Sequence, residues 1–141
     1  MADLSLRAES VPGNSALVTA FIRAFDLSAR HDDASPDNPD AQFAWGAYEG
    51  ARQRMMRCYI HSLDHVAAAV LVAVHDIETL ISGFSIQLGD DEVILRADAE
   101  RELRDTKKAL TRIWAFLAKR DDVCSDPLLA IASAYGIAAK P

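Results

Sequence analysis

Three of the four histidines lie within one apolar stretch of the chain, at positions 61, 65 and 75. If this stretch is helical, His61 and His65 lie one turn apart on the same face, with Asp64 beside them. Two imidazoles and a carboxylate are ligands that zinc and similar ions accept, so these three residues are a candidate metal or cofactor site. His75 would lie ~21 Å further along such a helix and cannot share an ion with His61.

The sequence offers no further ligands at a matching spacing, so we favour a structural role for these side chains. They would form hydrogen bonds at an interface between helices or subunits, and we expect no cofactor. Cys58, His61 and Asp64 also have the residue types of a nucleophile, a base and an orienting acid. The middle of a helix has no free backbone amides for an oxyanion hole. We therefore predict no catalytic residues and a non-enzymatic protein.

A stripe of basic residues forms the second candidate site. Within the segment 91–119, five basic side chains recur at helical spacing and would share one face. Such a face is able to bind anions or an acidic partner, although acidic residues between them favour an ordinary solvated surface. The stripe consists of Arg101, Arg104, Lys108, Arg112 and Lys119.

The elements that position these residues follow from the apolar spacing. From Trp45 to Leu88, apolar residues recur every three or four positions with one gap at Arg52, which predicts one helix over about 40–88. At ~1.5 Å per residue this helix would be roughly 65 Å long. Gly83 is its weakest point. Trp45, Tyr48, Met55 and Tyr59 would form a stripe that lines a ligand cavity or, as we prefer, packs into the core.

The same reasoning predicts three further helices and an all-α fold. The helix over about 91–119 would pair with 40–88 as an antiparallel hairpin of two long helices. A flanking helix over about 15–31 and a short C-terminal helix over about 127–135 would complete a helical bundle. Their starts carry capping signals, namely Asn14 or Ser15, Asn38 followed by Pro39, and Asp126 followed by Pro127.

Length and composition favour one domain. The chain has 141 residues and a net charge of −6, so we predict a flexible tail over 1–13 and a single helical-bundle domain over 14–141. The acidic balance makes nucleic acid an improbable partner. The start of the chain has no secretory signal pattern, the longest apolar run is too short to cross a membrane, and the two cysteines need not pair. We expect a cytoplasmic protein.

The apolar section around residue 70 predicts self-association. It is apolar on every side, and the other helices are too short to cover a helix of this length at both ends. A homodimer or higher homo-oligomer would cover the remainder, through Val66, Val70, Val72 and Val74. The leading hypothesis for function is therefore an interaction or regulatory module that presents helical surfaces, with a possible protein partner. The alternatives are the metal or cofactor site and the anion-binding stripe.

Overall fold

The computed structural model describes residues 15–83 and 90–137, with side chains for 15–82 and 97–137. Within these residues it contains five helices and no strand, which confirms the predicted all-α class. In chain order they are α1 (Ala16–Ala29), α2 (Pro39–Arg57), α3 (Leu63–Gly83), α4 (Asp90–Ala118) and α5 (Asp126–Ala134). Helix α1 packs mainly on α2, and α3 packs mainly on α4, which is compatible with the predicted hairpin and bundle.

The single helix predicted over 40–88 is wrong, because the chain leaves the helical conformation over 58–62. Ser62 starts the second half as an N-cap. Its Oγ accepts a hydrogen bond from the backbone N–H of His65 at 3.4 Å, which satisfies an amide that the first turn of a helix leaves free. The predicted tail over 1–13 and the segment after Gly83, at 84–89, lie outside the described residues.

Two buried side chains at the start of α3 hold this break in place. Asp64 accepts hydrogen bonds from the backbone N–H of Ser15, at the start of α1, and from the Ser62 hydroxyl. The His65 side chain is fully buried, and its Nε2 donates to the backbone carbonyl of Met55 at 2.7 Å. That carbonyl belongs to the last turn of α2, whose carbonyl groups have no partners within the helix. Asp64 and His65 thus join three helix ends.

The capping predictions are confirmed at two helices and wrong at a third. The Ser15 hydroxyl accepts from the N–H of Val18 at α1, and the Asn38 side chain accepts from two first-turn amides at α2. At α5, however, Ser125 occupies the N-cap position without a side-chain hydrogen bond, and Asp126 is the first helical residue. An aspartate there still complements the positive end of the helix dipole.

All five helices contribute to one hydrophobic core. Helix α3 supplies a continuous inner face of small and branched residues, and α4 contributes the largest fully buried side chain, that of Trp114. The loop after α4 and helix α5 also contribute buried residues to this core. The core members with no exposed surface are Val18, Phe21, Ala67, Ala68, Leu71, Val72, Trp114, Leu128 and Ala132.

Helix α3 is also the one described helix that is long and apolar enough, over Leu63–Ser82, to cross a membrane by length and composition alone. Of its apolar window, 39% is buried inside the fold. The core helix of a globular protein satisfies the same two criteria. This feature is therefore weak evidence for a membrane span.

Candidate ligand pocket

A cavity of about 420 Å³ lies between α1, α2, α3 and the residue that follows α5. Small-molecule sites in proteins commonly enclose about 300–1,000 Å³, with apolar walls and a few converging polar groups. This pocket has that composition. Its aromatic and charged wall consists of Phe25, Asp32, Trp45, Tyr48, Glu49, Arg52, His75, Asp76 and Tyr135.

The end of α5 places Tyr135 in the pocket wall. Gly136 has a φ of +76°, a conformation that glycine adopts without steric cost. Its N–H donates to the Ser133 carbonyl at 3.0 Å, and the N–H of Ile137 donates to the Ala132 carbonyl at 2.9 Å. These two bonds form a Schellman motif, which ends the helix at a defined residue. Tyr135, the C-cap, is held in a single position by this turn.

Tyr135 joins side chains from three other helices. Its ring stacks on the His75 imidazole with a centroid distance of 3.9 Å and an angle of 11°. It meets Phe25 edge to face at 5.8 Å, and its hydroxyl forms a hydrogen bond with the Tyr48 hydroxyl. Tyr48 in turn contacts Trp45, with ring centroids 5.6 Å apart. Aromatic pairs with these tilted and edge geometries are favourable beyond their buried area.

A charged group also lines the pocket. Arg52 donates from Nη1 to Asp76 at 2.8 Å and from Nη2 to Glu49 at 3.1 Å. The hydrogen bond that Arg52 donates to Glu49 is the main reason that the pKa of Arg52 is raised. In the sequence Arg52 is the one gap in the apolar pattern of 45–88. The structure places its guanidinium between two carboxylates, where it links α2 to α3.

Burial controls the protonation of the uncharged polar groups. Burial raises the pKa of Tyr48, although the Tyr135 hydrogen bond lowers it, and burial also raises the pKa of Tyr135. Burial lowers the pKa of His75 from its usual 6.5. At neutral pH both phenols and the imidazole are therefore uncharged. The wall contains three carboxylate residues, Asp32, Glu49 and Asp76, and one arginine, Arg52, so its formal charge is −2.

The lowered pKa of His75 predicts that stability falls in mild acid. Burial dominates over the nearby Asp76, which raises the pKa, while Arg52 lowers it further. Just below pH 6.5 the unfolded chain therefore binds more protons at this position than the folded chain, so stability decreases as the pH falls from 7.5 towards 5.5. We expect His75→Gln to show a smaller decrease than the wild type in thermal unfolding across this range. Parallel pH profiles for the two proteins would contradict the prediction.

The structure separates the predicted metal residues His61, Asp64 and His65. His61 lies exposed in the 58–62 segment, outside any helix, so the premise that it shares a helix face with His65 is wrong. Asp64 and His65 are buried and hydrogen-bonded to Ser15, Ser62 and Met55, as the structural alternative predicted. Among the described residues, no group of three His, Cys, Asp or Glu side chains lies close enough together to hold a metal ion. Metal binding stays a prediction.

The basic stripe lies on the exposed side of α4. Arg101 and Arg104 form ion pairs with Asp98 and Glu100 on the same helix, and exposed pairs of this kind stabilise little. Lys108, Arg112 and Lys119 form no ion pair with any described residue. A groove of about 400 Å³ is lined by Arg104, Lys107, Lys108, Thr111 and Arg112. Anion binding by this stripe stays a prediction.

The valines predicted to form a subunit interface face the protein's own core. Val72 and Val74 are buried, and Val66 and Val70 are partly buried against the core. Because the 40–88 helix is broken, the length of this helix no longer supports self-association. Other apolar side chains are exposed instead, several of them at the junction of α2 and α3, where Tyr59 is 88% exposed and Ile60 is 53% exposed. Homodimerisation stays a prediction, and Val72 and Val74 are removed from its proposed surface.

The predicted Trp45–Tyr59 stripe divides into three environments. Tyr48 and Met55 are buried, Tyr59 is exposed, and Trp45 lies at the pocket with 57% of its surface exposed. Both interpretations of the stripe were therefore partly right, since Met55 packs into the core and Trp45 and Tyr48 line a cavity. Sequence reasoning did not select Tyr135. The sequence signal that could have indicated its fixed position is Gly136, the helix-ending glycine that directly follows Tyr135.

Comparison with known proteins adds no functional information, because no family model, curated protein or solved structure matches this chain.

Proposed function

We propose that this protein is a non-enzymatic binding protein that holds a small organic molecule in the pocket between α1, α2, α3 and Tyr135. The observation that carries the proposal is the stack of His75 on Tyr135, which joins two distant parts of the chain inside an aromatic cavity of ligand size. Concave sites with apolar walls and a few converging polar groups are the usual form of small-molecule sites.

The chemistry of the wall supports binding rather than turnover. The Tyr48 and Tyr135 hydroxyls are hydrogen-bonded to each other, and burial raises the pKa of both, so neither is poised to exchange a proton at neutral pH. Arg52 is held by Glu49 and Asp76. These groups are positioned to shape and orient a bound molecule. The proposal retains the non-enzymatic prediction and replaces presented helical surfaces with a pocket between helices.

Trp45 provides the direct test, and Phe43 provides a matched control. Both are exposed aromatic residues on α2, two positions apart, but only Trp45 lines the pocket. In calorimetric titrations with a panel of indole, choline, 3,3-dimethylbutan-1-ol and 3,3-dimethylbutanoate, we expect saturable binding of at least one compound. Trp45→Ala is expected to weaken that binding about fivefold, which corresponds to ~1 kcal/mol for an aromatic contact. Phe43→Ala is expected to leave the affinity unchanged.

Two results would refute the proposed function. One is the absence of saturable binding for every compound in the panel. The other is an equal loss of affinity in Trp45→Ala and Phe43→Ala, since this would place the binding outside the pocket. Circular dichroism of both variants checks that each keeps its helical content.

A further inference from the structure

We propose that the pocket binds an organic ammonium cation, an inference that rests on the proposed function and names the chemical class of its ligand. The proposal follows from the charge of the wall, from its aromatic faces and from the way in which its one arginine is occupied.

The charge of the pocket favours a cation. Three carboxylates line it, and Glu49 and Asp76 share the guanidinium of Arg52. Asp32, an exposed residue of the pocket wall, forms no ion pair with any residue that the structure describes. A cation that enters the pocket therefore approaches one unpaired carboxylate and two partly neutralised ones. Near a protein surface such interactions are stronger than in bulk water.

The aromatic residues favour an organic cation over a metal ion. Phe25, Trp45, Tyr48 and Tyr135 line the same cavity. The faces of aromatic rings carry partial negative charge and attract ammonium groups, with tryptophan the strongest. Rings supply no donor atoms for a hard metal ion, whereas the methyl groups of a quaternary ammonium pack against them. The combination of rings and carboxylates is that of an aromatic site for an alkylated amine.

An anionic ligand has no comparable support here. Arg52 is the single lysine or arginine in the described pocket wall, and its two terminal nitrogens already donate to Asp76 and Glu49. An anion would have to displace a carboxylate from Arg52 and then remain beside it. The side chains of Lys108 and Arg112, on the exposed face of α4, are a more favourable place for an anion.

Three compounds of similar shape separate the possibilities. Choline is a quaternary ammonium alcohol, 3,3-dimethylbutan-1-ol is its neutral isostere, and 3,3-dimethylbutanoate is an anion of similar size. In calorimetric titrations of the full chain we expect choline to bind at least tenfold more tightly than either of the others. Asp32→Asn is expected to weaken choline binding about threefold to tenfold and to leave binding of the neutral alcohol unchanged.

Asp33→Asn is the matched control, because Asp33 is the exposed neighbour of Asp32, lies outside the pocket wall and changes the net charge equally. Its choline affinity is expected to equal that of the wild type. Equal losses in the two variants would overturn the proposal by showing general charge attraction. Equal or tighter binding of the alcohol or the carboxylate would also overturn it. Binding of indole without choline would overturn the cation inference and leave the proposed function standing, whereas no binding at all would overturn both.

Discussion

Replacing Trp114 with alanine is expected to lower the free energy of unfolding by about 4 kcal/mol, the largest effect that we predict for a single substitution. The Trp114 side chain is fully buried on α4 and is the largest in the core. Removing the indole leaves a large cavity, and the packing contacts with neighbours on other helices are lost. In a domain of this size, each kcal/mol corresponds to about 3 °C in melting temperature, so thermal unfolding should occur roughly 12 °C lower.

Phe116 is the matched control for Trp114. It lies two residues away on the same helix, but 66% of its surface is exposed, so Phe116→Ala should change stability by about 0.5 kcal/mol or less. Trp114→Phe should be milder than Trp114→Ala, because the indole Nε1 is buried without a hydrogen-bond partner among the described residues and phenylalanine removes that unpaired donor. Similar melting temperatures for Trp114→Ala and Phe116→Ala would contradict the described orientation of α4.

Replacing His65 with alanine is expected to lower the free energy of unfolding by about 3 kcal/mol. The variant loses a fully buried ring and leaves the Met55 carbonyl at the end of α2 without its 2.7 Å hydrogen bond. Urea unfolding followed by circular dichroism measures this loss. His61→Ala should stay within about 0.5 kcal/mol of the wild type, because His61 is exposed.

This pair of variants distinguishes the observed break from a continuous helix. On one uninterrupted helix with a shared ligand site, His61 and His65 would have comparable roles and their alanine variants comparable effects. In the structure His65 joins α3 to the end of α2, whereas His61 lies in the segment between these two helices. Equal destabilisation by the two substitutions would therefore argue against the described junction.

Much of the helical architecture follows from local signals in the sequence. The predicted ranges 15–31, 91–119 and 127–135 agree with α1, α4 and α5 to within two residues at each end. Helical periodicity, the Ser15 and Asn38 caps and the glycine after Tyr135 each act over one or two turns. Such signals can be read without knowledge of the tertiary structure.

The break at 58–62 shows where periodicity misleads. Apolar residues continue through Tyr59 and Leu63 at nearly helical spacing, and no proline or glycine interrupts them. The signal for a new helix was Ser62, followed by an aspartate two residues later. A serine within an apolar stretch is a weak indication by itself, and it becomes decisive because Asp64 and His65 hydrogen-bond to the ends of other helices.

The sequence alone determined that this protein is all-α, where most of its helices begin and end, and that its middle is buried, because these properties depend on spacing along the chain. The tertiary structure decided which histidine is buried, which aromatic side chains lie outside the core and which residues form a pocket. Phe25, Trp45, His75 and Tyr135 follow one another at intervals of 20, 30 and 60 positions in the chain. They meet because the break in the long helix lets α3 return against α1 and α2, and no periodicity within one segment specifies such a contact.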